Sequence, residues 1–118
     1  MMNAHEHRIQ VACVRWFALQ WRQYDGLLFA VPNGGNRDKV TGAIMKAEGI
    51  TAGVSDLLLL VPSHGYHGLC IEMKTEKGRQ SAEQKQWQKK VDAQGYRYAV
   101  IRSLDQFIET INDYLKPD

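Results

Sequence analysis

The stretch Gly53–Lys74, GVSDLLLLVPSHGYHGLCIEMK, decides how this chain folds. Two apolar runs flank "PSHGY", where proline, serine and glycine favour a reversal of the chain, so the pattern predicts a β-hairpin. The first run, "LLLLV" from Leu57 to Val61, shows no alternation and is expected to be covered on both faces. "GLCIEMK" is the returning strand. With the turn centred on His64, partner positions sum to 128 and Asp56 falls opposite Glu72. Directly opposed residues of an antiparallel pair have Cβ atoms roughly 4.5–5.5 Å apart. Two carboxylates that close repel each other, more strongly when partly buried. A divalent cation would offset that repulsion, since Mg2+ takes one or two carboxylates, waters and a substrate phosphate at roughly 2.0–2.1 Å. Strand alternation also puts Glu72 and Lys74 on one face and Met73 on the other, so an ammonium group stands beside the paired acids. In the alternative reading Asp56 is a turn residue and Glu72–Lys74 a solvated ion pair on an edge strand. A register slip of one residue removes the pairing.

Outward from the hairpin, the remaining elements follow from periodicity and punctuation. Residues from Ala4 to about Gln23 predict an amphipathic helix with Ile9, Cys13, Trp16, Phe17 and Gln20 on one stripe, which Glu6 and Gln10 prolong at the N-terminal end. "LLFAV" (Leu27–Val31) reads as a short buried strand that stops at "PNGG". "DKVTGAIMKAEG" predicts a short helix with Val40, Ile44 and Ala47 inward and Gly49 at its C-terminus. After the hairpin, Ser81 and Gln84 form a capping-box pattern that opens a helix with Trp87 and Val91 inward and Gly95 at its end. "YRYAVI" is the last strand. Ser103 and Gln106 repeat the box before a final helix that turns Phe107, Ile111, Tyr114 and Leu115 inward. The order α-β-α-β-β-α-β-α, without repeats or linkers, predicts one α/β domain over residues 1–118.

Composition narrows the function classes. With 44% hydrophobic and 24% charged residues the chain is globular rather than disordered. A net charge of +2 does not by itself mark a nucleic-acid binder, so only the placement of charge can. The longest apolar run, Leu57–Pro62, is strand-sized and argues against a membrane span, and "MMNAHEHRIQ" lacks the apolar core of a secretory leader. Cys13 and Cys70, both in apolar segments, read as buried thiols of a reducing compartment. Cytoplasm is therefore expected, the host's if the protein is viral. His5 and His7 diverge on a helix and His64 and His67 sit at the hairpin turn, so a zinc site is not expected. "PNGGNR" lacks the spacing of a phosphate-binding P-loop and can be a plain turn. Backbone N–H groups of Asn33, Gly34 and Gly35, with Arg37, could also meet a phosphate. Lys77, Arg79, Lys85, Lys89 and Lys90 form a basic run, which is a solvated face by default and a backbone-holding surface beside a bound phosphate.

The set Asp56, Glu72-x-Lys74 resembles the PD-(D/E)xK nuclease signature, with Ser55 where that superfamily often has proline. Its setting is more specific: "PNGGNR", "KAEGITAGVSDLLL", "GLCIEMK" and "GRQSAEQKQWQKKVDAQGY" together are similar to the virus-type replication–repair nuclease domain, VRR-NUC, over nearly the whole chain. The resemblance implies a restriction-endonuclease-like fold, a central mixed sheet flanked by helices with acids at one rim. It further implies Mg2+- or Mn2+-dependent hydrolysis of DNA phosphodiesters, leaving a 5′-phosphate and a 3′-hydroxyl. Stand-alone domains of this type look like homodimers that act on branched DNA, such as the four-way (Holliday) junctions of DNA repair. Residue by residue, Asp56 and Glu72 match the metal ligands and Lys74 the catalytic lysine. Met73 would add its backbone carbonyl, Glu6 matches the acid of the first helix that completes the metal site, and Gln84 the glutamine of the helix after the lysine.

Glu6 also reads as a capping partner of Asn3, and Gln84 as the partner of Ser81. Lys74 has two open roles, general base or orienting and stabilising group. A non-catalytic DNA-binding subunit would be expected to lack an acid or the lysine, and here all are present. A single-strand or RNA-directed nuclease would use the same site, although no series of stacking aromatics accompanies it.

Overall fold

In the computed structural model, residues 2–32 and 39–117 are described. The elements are α1 (Ala4–Gln20), a single 3-10 turn (Arg22–Tyr24), β1 (Leu28–Ala30), α2 (Lys39–Ala47), β2 (Leu57–Leu59), β3 (Leu69–Met73), α3 (Ala82–Ala93), β4 (Arg97–Ile101) and α4 (Leu104–Leu115). The expected order holds throughout. The four strands form one mixed sheet in the order β1-β2-β3-β4, antiparallel except for the parallel pair β3–β4 that α3 connects.

The hairpin keeps the predicted register, with Leu57 opposite Ile71, Leu58 opposite Cys70 and Leu59 opposite Leu69. Its turn is tighter than expected. Ser63 pairs with Tyr66 across His64 (φ 52°) and Gly65 (φ 83°), the left-handed pair that a two-residue hairpin loop needs. Residues 60–62 therefore face only 67–68, and this offset restores the strand register.

Pleating separates two environments. Leu57, Leu59, Leu69, Ile71, Met73 and Ile101 pack with Cys13 and Phe17 of α1 and with Phe107, Ile111 and Tyr114 of α4 in the main core. The Tyr114 hydroxyl donates to the Val61 carbonyl at 2.7 Å, fastening α4 to the hairpin. On the opposite face Leu58, Cys70, Trp87, Val91 and Tyr96 surround an apolar cavity of about 280 Å³. Both thiols are free and buried, and burial pushes Cys13 up to about 12 and Cys70 up to about 11.

Several sequence expectations are corrected. The first helix stops at Gln20, which is exposed. Among the described residues β1 is an edge strand paired with β2 alone, so Phe29 remains 39% exposed rather than buried. Leu60, expected inside a fully covered strand, lies beyond β2 and is exposed. In α2, Ile44 is 55% exposed and Ala47 is also exposed, while the side chain of Val40 lies outside the described residues. Helical periodicity specifies which residues share a face; it does not supply an element to cover that face. The C-terminus of α2 was legible: Gly49 (φ 100°) and Ile50 return their N–H groups to Lys46 and Met45, a Schellman closure. Among the described residues no helix is long and apolar enough to cross a membrane.

Candidate active site

The residues expected to carry chemistry gather where β2 begins and β3 ends, between the N-termini of α1 and α3. Asp56 sits one step before β2. Its carbonyl accepts the Val31 N–H at 2.9 Å, and its Oδ2 accepts the Met73 N–H at 2.6 Å. The ladder ends at Leu57–Ile71, so the expected Asp56–Glu72 cross-strand pair is replaced by this side-chain bond to the next strand's backbone. Ser55, just before Asp56, is buried and donates to the Leu57 carbonyl at 3.1 Å.

A close approach holds Asp56 in place. Gly53 (φ 86°) lies against the first turn of α3, where a Cβ would come within 2.3 Å of the Glu83 carbonyl oxygen. Only glycine combines that backbone conformation with that clearance. The Ser81 hydroxyl caps α3 by accepting the Gln84 N–H at 3.2 Å, and Gln84 Oε1 accepts the Ser81 N–H at 2.8 Å. Gln84 is thus a capping residue and also lines the site.

Glu6, Asp56, Met73, Lys74 and Gln84 line one cavity of about 340 Å³, together with Gln10 and the chain after β1. Glu6 is half-buried. Burial raises its pKa; the Lys74 ammonium opposes the rise, and the charges of Asp56 and Glu72 add to it. Its carboxylate accepts from the Asn3 amide at 3.1 Å while Asn3 caps the Glu6 N–H at 2.9 Å, so the capping role is realised beside the cavity. One turn along α1, Gln10 carries a buried Oε1 without a hydrogen-bond partner among the described residues.

Glu72 is fully buried on the α3 face of the sheet. Its Oε1 accepts from the Tyr98 hydroxyl and, at 3.3 Å, from Gln80 Nε2, which also donates to Gln88 Oε1 at 2.9 Å. Its Oε2 is buried with no hydrogen-bond partner among the described residues, and Lys74 Nζ stands 3.9 Å away. Burial, the hydrogen bond to Glu72 and the charge of Glu72 all raise the Tyr98 pKa, so its hydroxyl donates and stays protonated.

A buried carboxylate oxygen left over beside an ammonium and a polar cavity suits a divalent cation, which satisfies such an oxygen without a protein donor. Glu72 and Asp56 are carboxylates of the kind such an ion takes; Asp56 lines the cavity, and Glu72 stands 3.9 Å from the Nζ of Lys74, which lines it too. Among the described residues no three Asp, Glu, His or Cys side chains converge as a ready-made cluster, so further ligands would come from water, backbone or substrate.

Of the expected DNA contacts, Lys77, Arg79 and Lys85 are exposed, on the loop after Lys74 and on α3. Asn33, Gly34, Gly35 and Arg37 lie outside the described residues. Sequence reading missed Tyr98, Gln80, Gln88 and Arg102. Arg102 Nη1 donates to the carbonyls of Thr75 (2.7 Å), Glu76 (3.2 Å) and Gly78 (2.7 Å), clamping the basic loop. Removing one charged donor to several carbonyls costs about 1.5–3 kcal/mol. Arg102→Ala is expected to lose that much in a urea melt and to speed tryptic cleavage after Lys77 and Arg79 by loosening their loop.

Residues 4–105 match the VRR-NUC domain. The chain belongs to the VRR-NUC family. It is therefore a nuclease-family domain, and the acids and lysine just described lie within the matched region. A solved structure described as a VRR_NUC domain protein shares the fold, with a TM-score of 0.80 at 24% identity over 98% of this chain and 91% of that one. Among curated proteins the chain finds no match.

Proposed function

We propose that the chain is a divalent-cation-dependent DNA endonuclease that acts on branched substrates such as four-way junctions. The observation that carries the cation requirement is the buried Glu72 Oε2, which among the described residues has no hydrogen-bond partner and only the Lys74 ammonium at 3.9 Å, in a nuclease-family domain where Lys74 shares a cavity with Glu6 and Asp56. In this reading Asp56, Glu72 and the Met73 carbonyl would hold Mg2+ or Mn2+, and Glu6, on the wall of the same cavity, would reach the ion through a coordinated water. Such an ion, when bound, lowers the pKa of a coordinated water and neutralises charge on the scissile phosphate. Lys74 orients the attacking water and stabilises the extra negative charge of the in-line transition state, from a position fixed by Glu72. Gln84 lines the same cavity and shapes its α3 side. Lys77, Arg79 and Lys85 hold the flanking sugar–phosphate chain, which makes binding salt-sensitive and indifferent to base sequence. Residues 1–118 act as one unit in this account.

Two copies are proposed to work together on a branched substrate. The exposed apolar side chains Leu27, Phe29, Ile44 and Ile50, on and around β1 and α2, are surfaces a homodimer would cover. Incubation with plasmid, linear duplex, flayed duplex and a four-way junction, in Mg2+, Mn2+ or EDTA, tests the proposal. Cation-dependent cutting is expected, with the junction preferred and a dimer by light scattering. Cutting that persists in EDTA would sink the cation requirement. Binding without cutting in either cation would instead support the non-catalytic DNA-binding subunit.

A further inference from the structure

We propose that Tyr98 is a positioning residue for the Glu72 carboxylate: its hydroxyl, with the Gln80 amide, occupies Oε1 and leaves Oε2 as the oxygen presented to a bound cation. The inference rests on the reading above that Glu72 is a cation ligand.

A fully buried carboxylate has no water to orient it, and its two oxygens are chemically equivalent until something distinguishes them. Among the described residues two donors fall on Oε1, while Oε2 has none and Lys74 Nζ lies beyond hydrogen-bond length at 3.9 Å. The donors come from separate parts of the fold. Glu72 is registered opposite Val100 in the parallel β3–β4 pair, so Tyr98 reaches it from two residues back on the same face. The Tyr98 ring is fixed edge-on against Trp87 of α3, with centroids 6.1 Å apart. Gln80 is held in turn by Gln88, one turn beyond Gln84 on α3. The direction in which Oε2 faces is therefore set by the docking of α3 onto the sheet, not by the hairpin alone.

Groups that orient a metal ligand in this way typically carry about 10–100-fold in metal affinity. Tyr98→Phe removes only the hydroxyl and keeps the ring against Trp87. Mn2+ titrated calorimetrically into Tyr98→Phe is expected to bind 10–100-fold more weakly than to the wild type, with junction cleavage largely recovered at saturating Mn2+. Gln80→Ala, which removes the 3.3 Å hydrogen bond to Oε1 and leaves that of Tyr98, is expected to show a smaller loss in the same direction. A purely packing role for Tyr98 predicts a lowered melting temperature with unchanged Mn2+ affinity in the folded protein, and that result overturns the proposal. Glu72→Gln separates the two levels. If it abolishes Mn2+ binding while Tyr98→Phe leaves it intact, the positioning role fails alone. If Glu72→Gln itself binds Mn2+ like the wild type, the ligand assignment of Glu72 fails and the positioning role with it.

Discussion

Changing Asp56 to asparagine is expected to lower DNA cleavage by at least about a hundredfold while leaving the fold in place. The expectation separates the two jobs of one side chain. Asp56 Oδ2 accepts the Met73 N–H at 2.6 Å, and an asparagine carbonyl can accept the same bond. The loss in stability is therefore small, about 1 kcal/mol or less, the difference between a charged and a neutral acceptor. What asparagine cannot supply is the negative charge beside the cavity that Glu6, Lys74 and Gln84 also line. Loss of one preorganised electrostatic group in an enzyme site commonly costs about 10²–10³ in rate. Single-turnover cleavage of a labelled junction, together with a thermal melt of the same sample, gives both readouts. Full activity in Asp56→Asn would show that the chemistry lies elsewhere. A collapsed melt would show that the carboxylate is a structural strut.

Gly53→Ala should produce the opposite profile, a large loss of stability from a single methyl. Two penalties add at this position. Alanine at φ 86° is strained by about 1–3 kcal/mol, and the methyl would sit 2.3 Å from the Glu83 carbonyl oxygen, a backbone atom that cannot swing aside. A combined cost of about 3 kcal/mol follows, a fall of roughly 10 °C or more in melting temperature for a chain of this size. The strain can be relieved only by separating the 53–56 segment from the first turn of α3. Cleavage should then fall even at temperatures where the variant remains folded. A melt within about 2 °C of the wild type, in the range of an ordinary surface substitution, would contradict the described geometry.

The hairpin was readable because its information is local. The reversal at "PSHGY" and the lengths of the two apolar runs fix the register of Leu57–Leu59 against Leu69–Ile71, and the register brings Asp56 to the end of β3. Capping patterns at Ser81 and Ser103 marked the starts of α3 and α4 for the same reason. At α4 the pattern even overstates the outcome: Gln106 bonds the Arg102 N–H and the Val100 carbonyl instead of closing the box on Ser103. The β3–β4 register was not readable, because a parallel pair joined through a helix has no turn to count from. Tyr98 and Arg102, whose roles depend on that pairing, were therefore passed over as ordinary strand and loop residues. The exposure of Ile44 and Phe29 was hidden for a related reason, since an apolar stripe looks the same whether or not the chain provides a partner for it. The helical stripe and the resemblance both pointed to Glu6, and its three-residue spacing from Asn3 gave the capping bonds as well.

The two native thiols have a practical consequence. Both are shut inside the protein and held in their protonated form at neutral pH, so maleimide reagents find no attacking sulfur on the folded chain. A cysteine installed at exposed Lys85 would therefore be the sole attachment point for a dye on the face proposed to meet the nucleic acid, without first stripping Cys13 and Cys70 from the molecule.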